Sequence, residues 1–133
     1  MLLVKTKIGK SKIEGLGCFA NQFIPKGTIV WKFTPNFDIV TPPLEVEKLP
    51  EIARKTFCKY AYLNKKTGMY VLCWDDGKFF NHSDKPNVIS VDTENDAEGL
   101  DVTARDILQG EEITCNYDDF DADMKLKLRE LFK

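Results

Sequence analysis

The sequence predicts one mainly β domain with one or two short helices, and three observations lead there. The chain has 133 residues, room for one hydrophobic core and no more. Most of it reads as short β-branched and aromatic runs separated by turn residues. No internal repeat, low-complexity tract or linker-like change of composition divides it. A single domain over 1–133 follows, with a core at about 4–120 and a C-terminal helix at about 121–132.

Residues 2–8 alternate apolar and polar side chains, as a half-buried strand does. The turn Pro25-Lys26-Gly27 introduces a second strand at 28–33. Segments 70–74, 88–91 and 112–115 have the same character, and Asp75-Asp76-Gly77 reads as a tight turn between two strands. Two segments read as helices instead. Pro42-Pro43 opens one that runs through Leu49, Ile52, Ala53 and Phe57, with Pro50 breaking or restarting it. Asp121 and Asp123 cap the other, which carries Met124, Leu128, Leu131 and Phe132 on one face, a pattern of core packing. Its acidic start and its Lys127, Arg129 and Lys133 finish suit the helix dipole.

Composition narrows the function classes. The 43% hydrophobic and 30% charged content is that of an ordinary globular protein, whose core needs no metal or disulfide staple. A formal charge of -2, from 19 basic and 21 acidic residues, argues against a dedicated nucleic-acid binder. Cys18, Cys58, Cys73 and Cys115 form no CxxC pair, and His82 is the one histidine, which argues against a zinc site. Reduced, semi-buried cysteines in a cytosol-like compartment are expected. Residues 1–10 hold too short an apolar run for a signal peptide or a membrane span. An intracellular protein is expected, cytoplasmic by default, with a nuclear or host-cell location left open.

Several chemical patterns fail on inspection. Gly9-Lys10-Ser11 resembles the end of a phosphate loop, but Val4 stands where its first glycine belongs. Gly15-Leu16-Gly17 is only a fragment of a dinucleotide fingerprint, without the third glycine or a βαβ frame. Asn81-His82-Ser83-Asp84 gathers hydrolase side chains, yet adjacent side chains diverge, and there is no GxSxG elbow.

Three segments in a fixed order remain. The first is Ile13-Glu14-Gly15-Leu16-Gly17-Cys18-Phe19-Ala20, followed by Ile24-Pro25-Lys26-Gly27. The second is Phe80-Asn81-His82-Ser83-Asp84-Lys85-Pro86-Asn87. The third is Ala104-Arg105-Asp106-Ile107, then Gly110-Glu111-Glu112-Ile113-Thr114-Cys115-Asn116-Tyr117. Taken singly, each has a plain reading beside a functional one. Gly15 and Gly17 let backbone approach a ligand or simply make a turn. Asn81 and His82 offer polar groups to a ligand or to each other's neighbourhood. Tyr117 points a hydroxyl into a cleft or packs as an aromatic.

Together the three resemble the SET-domain protein lysine methyltransferases, matching that family's GxGxFA start, its NHSCxPN block and its ARDIxxGEELTYDY block over about residues 4–120. The resemblance implies a β-clip-like fold of several small sheets with a pseudoknot-like chain crossing. It implies transfer of methyl groups from S-adenosylmethionine to the ε-amine of a protein lysine, with S-adenosylhomocysteine as product and no metal. Tyr117 is then the catalytic residue, and Gly15, Leu16, Gly17, Asn81, His82 and Tyr117 bind the donor. Asn81 would meet its amino-acid end and the His82 backbone its adenine edge. Asn87 and Glu112 would support the crossing rather than touch substrate. Tyr60, Tyr62, Phe79, Cys115 and Phe120 are candidate walls of an apolar lysine channel, although core packing accounts for them almost as well. Such a channel disfavours the charged form of an amine whose ordinary pKa is about 10.4.

Two departures from the family pattern stand out. Asp84 replaces the cysteine of the second block, at little expected loss of chemistry. Cys115 replaces the tyrosine or phenylalanine that sits two residues before the catalytic tyrosine, and its smaller side chain implies addition of more than one methyl group. No zinc-binding segment like that of nuclear relatives is expected, and the chain resembles the minimal bacterial and viral forms. The terminal helix is expected to close the cleft or to lie at a subunit interface, so a homodimer is open. Expected partners are a protein with an accessible lysine, in a basic histone-like tail or a non-histone protein, and no nucleic acid or membrane. The acidic stretch Asp118, Asp119, Asp121 and Asp123 either attracts such a basic segment or is a solvated loop. The competing reading is an inactive SET-like binding module.

Overall fold

A computed structural model of the chain describes residues 1–123. In chain order the strands and helices are β1 (Thr6–Lys10), β2 (Leu16–Ala20), β3 (Ile29–Lys32), β4 (Ile39–Thr41), α1 (Pro43–Glu47), α2 (Glu51–Tyr60), β5 (Tyr62–Leu63), β6 (Tyr70–Leu72), β7 (Asn81–His82), β8 (Val88–Thr93), β9 (Asp96–Thr103) and β10 (Thr114–Cys115). The predicted mainly β architecture is present, divided over four small sheets among the described residues. From Met124 onward the expected terminal helix lies outside those residues, and residues 121–123 form a bridge and turn. Among the described residues no helix is long and apolar enough to cross a membrane.

The hairpin of β1 and β2 is closed by Gly15, whose φ of +43° suits glycine, and by a Ser11 N–H to Gly15 carbonyl bond of 2.9 Å. The first strand starts later than the alternation predicts. Leu2 and Leu3 are drawn elsewhere: the Leu3 N–H donates to the Val30 carbonyl at 2.9 Å and the Leu2 N–H to the Asp75 carboxylate at 2.7 Å. Asp75 corrects the tight-turn expectation as well. Its carboxylate also accepts from the Gly77 N–H at 3.1 Å and so caps a 3-10 turn, Asp76–Phe79, in place of a two-residue hairpin.

Pro50 does interrupt the helical segment, separating α1 from α2, and Pro43 starts α1 where a missing N–H costs nothing. The α2 helix buries none of its residues, yet it delivers Tyr60 and the fully buried Ala61 to the edge of the β4-β6-β5 sheet.

The sheet of order β3-β9-β8 holds the strand that the sequence conceals. Asp96-Ala97-Glu98-Gly99 has no strand character, but β9 gains antiparallel partners on both sides. Val91 pairs with Leu100 while Thr93 pairs with Asp96, so β9 bulges between them. Gly99 occupies the bulge at φ +66°, and a Cβ there would lie 2.6 Å from the Val91 carbonyl oxygen. The core between these sheets includes Cys18, Ile24, Val30, Val88, Ile107 and Ile113, all fully buried. Gly99→Ala is expected to cost about 1–3 kcal/mol of stability through a strained φ and a backbone clash. Urea unfolding checks it, and an unchanged midpoint would contradict the bulge.

Candidate active site

The shortest sheet is the centre of the site. Parallel strands β7 and β10 have two residues each, Thr114 opposite Asn81 and Cys115 opposite His82, too few to be stable unaided. The buried Asn87 side chain braces them: its amide donates to the Glu112 carbonyl at 2.8 Å and its oxygen accepts from the Thr114 N–H at 2.9 Å. One side chain thus satisfies the backbone on both sides of Ile113. The chain crossing expected from the family resemblance is built on this contact, with the Ser83 N–H adding a bond to the Cys115 carbonyl at 3.0 Å.

Glu112 ties the first segment to the second. Its carboxylate accepts from Ser11 Oγ at 2.8 and 2.9 Å and from Asn81 Nδ2 at 2.8 Å. The Asn81 amide also reaches the Glu14 and Leu16 carbonyls at 3.2 and 3.1 Å. Its N–H groups are therefore spent on protein, which leaves Oδ1 as the group open to a cation. Gly17 explains its own glycine: a Cβ there would stand 2.2 Å from Glu112 Oε1. The glycine makes room for a carboxylate held from two sides.

Tyr117 follows β10 directly. Its N–H donates to His82 Nδ1 at 3.1 Å, so the imidazole carries its proton on Nε2, which faces Asp84 Oδ1 at 3.1 Å. The Tyr117 hydroxyl donates to the Phe80 carbonyl, leaving its oxygen lone pairs as acceptors. Burial, with Cys115, Asp121 and Glu112 nearby, pushes the phenol well above its ordinary pKa, so it stays protonated.

Two cavities meet at this tyrosine. A wide cleft of about 660 Å³ is lined by Glu14, Gly15, Leu16, Asn81, Phe79 and Tyr117, with Arg54, Lys59 and Lys78 among its cations. A narrow cavity of about 60 Å³ is lined by Tyr62, Cys115, Tyr117 and Phe120, with Ser90, Glu98, Asp101 and Asp121. Lys59, Tyr60, Lys78, Phe80 and Tyr117 border both. Tyr62 and Phe120 pack edge to face at 5.1 Å, and Phe120 meets Tyr117 at 6.0 Å.

Most residues singled out in the sequence are brought together here, with three qualifications. Phe79 lines the wide cleft and stacks on Tyr60 at 5.5 Å, but it is not a wall of the narrow cavity. Gly17 and the His82 side chain act behind the surface, on Glu112 and on the Tyr117 backbone. The narrow cavity is mainly apolar and aromatic, with an acidic edge. Glu98, Asp101 and Asp121 enter it, and burial raises the Asp101 carboxyl to about 6. Burial likewise raises the Cys115 thiol, which stays neutral.

Sequence reading missed Ser11, Trp31, Ser90, Glu98 and Asp101. Ser11 stands just ahead of the first segment, where a hydroxyl before a glycine turn is the signal that could have found it. Asp101 and Glu98 carry no such signal, because they share a cavity only through the bulge at Gly99. The four cysteines are free thiols. No group of three metal-ligating side chains is found among the described residues.

The SET domain family profile matches residues 15–118, and the chain belongs to the SET-domain family. That family is one of lysine methyltransferases, which use S-adenosylmethionine in general. A solved structure described as a candidate histone methyltransferase of Plasmodium falciparum superposes with a TM-score of 0.59 at 25% identity, over 87% of this chain and 95% of that one. A chain from a humanized mutant of the Chaetomium thermophilum Polycomb Repressive Complex 2, bound to an inhibitor, superposes with a TM-score of 0.64 at 24% identity. This second match covers 88% of this chain and 15% of the other, and it shows the fold alone. No curated protein sequence matches the chain.

Gly17→Ala is expected to displace Glu112 and to cost about 1–3 kcal/mol as the Ser11 and Asn81 bonds are lost. In a double-mutant cycle with Glu112→Ala the two losses should be less than additive, because the second change removes the clash. Additive losses in denaturant unfolding would show that the two residues do not meet.

Proposed function

We propose that the chain is an S-adenosylmethionine-dependent protein-lysine N-methyltransferase that adds more than one methyl group. The observation that carries this reading is the meeting of two dissimilar cavities at Tyr117. The wide one has the volume of a small-molecule site, and the narrow one admits only the tip of a side chain.

The wide cleft suits the donor. Leu16 and Phe79 offer apolar surface, Arg54 and Lys78 suit a carboxylate, and the open Asn81 Oδ1 suits an ammonium. A bound S-adenosylmethionine supplies an electrophilic sulfonium methyl, and S-adenosylhomocysteine leaves as a neutral thioether. Gly15, Leu16 and Asn81 hold the donor on one side of Tyr117. Tyr62, Phe120 and Cys115 shape the passage that holds the lysine on the other.

Because the Tyr117 proton is committed to the Phe80 carbonyl, the phenol oxygen accepts an N–H from the incoming amine and turns the nitrogen lone pair toward the wide cleft. Alignment then supplies much of the rate. The proton that the ammonium must lose leaves to solvent. Cys115 is small and buried, and it fills little of the passage beside Tyr117, which supports more than one transfer. The histone methyltransferase description of the Plasmodium relative supports a basic, histone-like segment as substrate. Asp118 and Asp119, next to Tyr117, have the complementary charge, although Lys65 shares Asp118.

Tyr117→Phe is expected to lower kcat about 10²-fold with donor affinity retained. The readouts are labelled-methyl transfer to a peptide array and calorimetry with the donor. Unchanged transfer would remove the role given to the hydroxyl, and absence of donor binding by the native chain would remove the activity itself. Mass spectrometry at exhaustive turnover is expected to find dimethyllysine. Monomethyllysine alone would refute the multiplicity.

A further inference from the structure

Three residues form a row across the β3-β9-β8 sheet. Trp31 lies opposite Asp101 on one side and Ser90 lies opposite it on the other. Directly opposed residues project from the same face, and all three line the narrow cavity behind Tyr117.

The acids of this cavity are not equally satisfied. Glu98 accepts from the Tyr62 hydroxyl at 2.8 Å and from Asn64 Nδ2 at 2.6 Å. Asp121 accepts from the Leu63 and Asp123 N–H groups at 3.1 and 3.0 Å. Asp101 receives one hydrogen bond, from Ser90 Oγ to its Oδ1 at 2.8 Å. The two cations that this cavity shares with the wide cleft lie over rings, Lys59 above Tyr60 at 5.4 Å and Lys78 above Phe79 at 5.5 Å. Among the described residues neither is ion-paired with Asp101. Beside it Trp31, 4% exposed, has a buried indole N–H with no partner among the described residues. A Cβ on Gly77, another wall residue, would stand 3.4 Å from that nitrogen, so this indole edge borders the cavity wall. The cavity therefore carries an under-satisfied acceptor, which an N–H-bearing ligand would complete, beside a buried indole N–H that borders the same wall.

We propose that Asp101, positioned by Ser90, receives the N–H groups of the substrate lysine in this cavity and makes the enzyme stop at dimethyllysine. The inference rests on the methyltransferase reading above. A lysine ammonium has three N–H groups, its monomethyl form two, its dimethyl form one and its trimethyl form none. Each form but the last gives Asp101 a donor, whereas trimethylammonium leaves the carboxylate facing methyl groups. The same count governs orientation. Neutral lysine and monomethyllysine keep an N–H to aim at Asp101 or Tyr117, which points the lone pair at the wide cleft. Neutral dimethyllysine has none. In each transfer the nitrogen lone pair forms the N–C bond, the C–S pair stays with sulfur, and the ammonium proton has gone to solvent. Asp101 takes up no proton, and its charge acts on capture of the cation more than on turnover.

The test uses the whole chain with n-butylammonium as a mimic of the lysine side chain and butyltrimethylammonium as its methylated counterpart. Proton–nitrogen NMR follows the Trp31 indole, with the exposed Trp74 indole as internal control. n-Butylammonium is expected to move the Trp31 signal, leave Trp74 in place and bind about tenfold tighter than its trimethyl counterpart. Asp101→Asn should abolish that preference, and Ser90→Ala, a milder change if the first variant folds poorly, should weaken it. Equal binding of the two cations, or an unchanged preference in both variants, overturns the proposal. A second arm follows methylation of a lysine peptide pool by mass spectrometry. The native chain should stop at dimethyllysine, and Asp101→Asn should raise KM more than it lowers kcat and let trimethyllysine appear. Cation preference without methyl transfer would refute the methyltransferase reading and leave the receptor standing. Transfer that runs to trimethyllysine in the native chain would refute the role of Asp101 alone.

Discussion

The site depends on one buried amide. Asn87 bonds the backbone on both sides of Ile113, and it does so while its own carbonyl accepts from the Ala104 N–H at 2.9 Å. Two strands of two residues have no register of their own, since a parallel pair needs a crossover and several bonds to be worth its entropy. Here the register comes from the amide, which fits the 112–114 backbone in one alignment. A slip by one residue would turn Cys115 and Tyr117 away from the cavity and leave buried polar groups unpaired. Glu112, Asn81 and Ser11 repeat the device one step outward. Polar contacts of high sequence separation therefore do here what a hydrophobic stripe does in a larger sheet.

That construction decides what Tyr117 is able to do. A buried phenol whose proton is held by a carbonyl is neither a base nor a nucleophile. It is an acceptor fixed between two spaces, with its backbone clamped by His82 and its ring packed on Phe120. Rigid placement of this kind suits a reaction in which the protein supplies alignment and little covalent chemistry. Three carboxylates add an acidic edge to the mainly apolar and aromatic lining of the narrow cavity. Carboxylates in such a lining favour a charged amine over a neutral one.

The strands richest in β-branched and aromatic residues were legible because burial and propensity agree in them, as in β3 and the start of β8. The three ordered segments were legible because glycines, amides and a terminal tyrosine are rare in that succession. What escaped was set by tertiary pairing. The β9 strand reads as a polar loop until β3 and β8 bond it from both sides, and the Gly99 bulge decides which acids face inward. Asp75 likewise reads as half of a turn, yet it caps a 3-10 turn because the Leu2 N–H comes to its other oxygen. In each case the missing information is a partner far away in the chain.

Asp101 shows what such a partner costs. Burial pushes its carboxyl up to about 6, above its ordinary value of 3.8, and outweighs the Ser90 hydrogen bond and the N-terminal ammonium of Met1, which favour the charge. A carboxylate raised on folding weakens the fold as it ionises: the stabilising neutral form is complete below the unfolded value and lost as pH rises through about 4 to about 6. The protein therefore keeps an acid whose ionised form its own stability opposes. An apolar residue opposite Trp31 and Ser90 would pack the sheet at lower cost. A small core gives little margin for such a residue unless something cationic meets it in use, and the cavity that Asp101 shares with Tyr117 is where that cation would arrive.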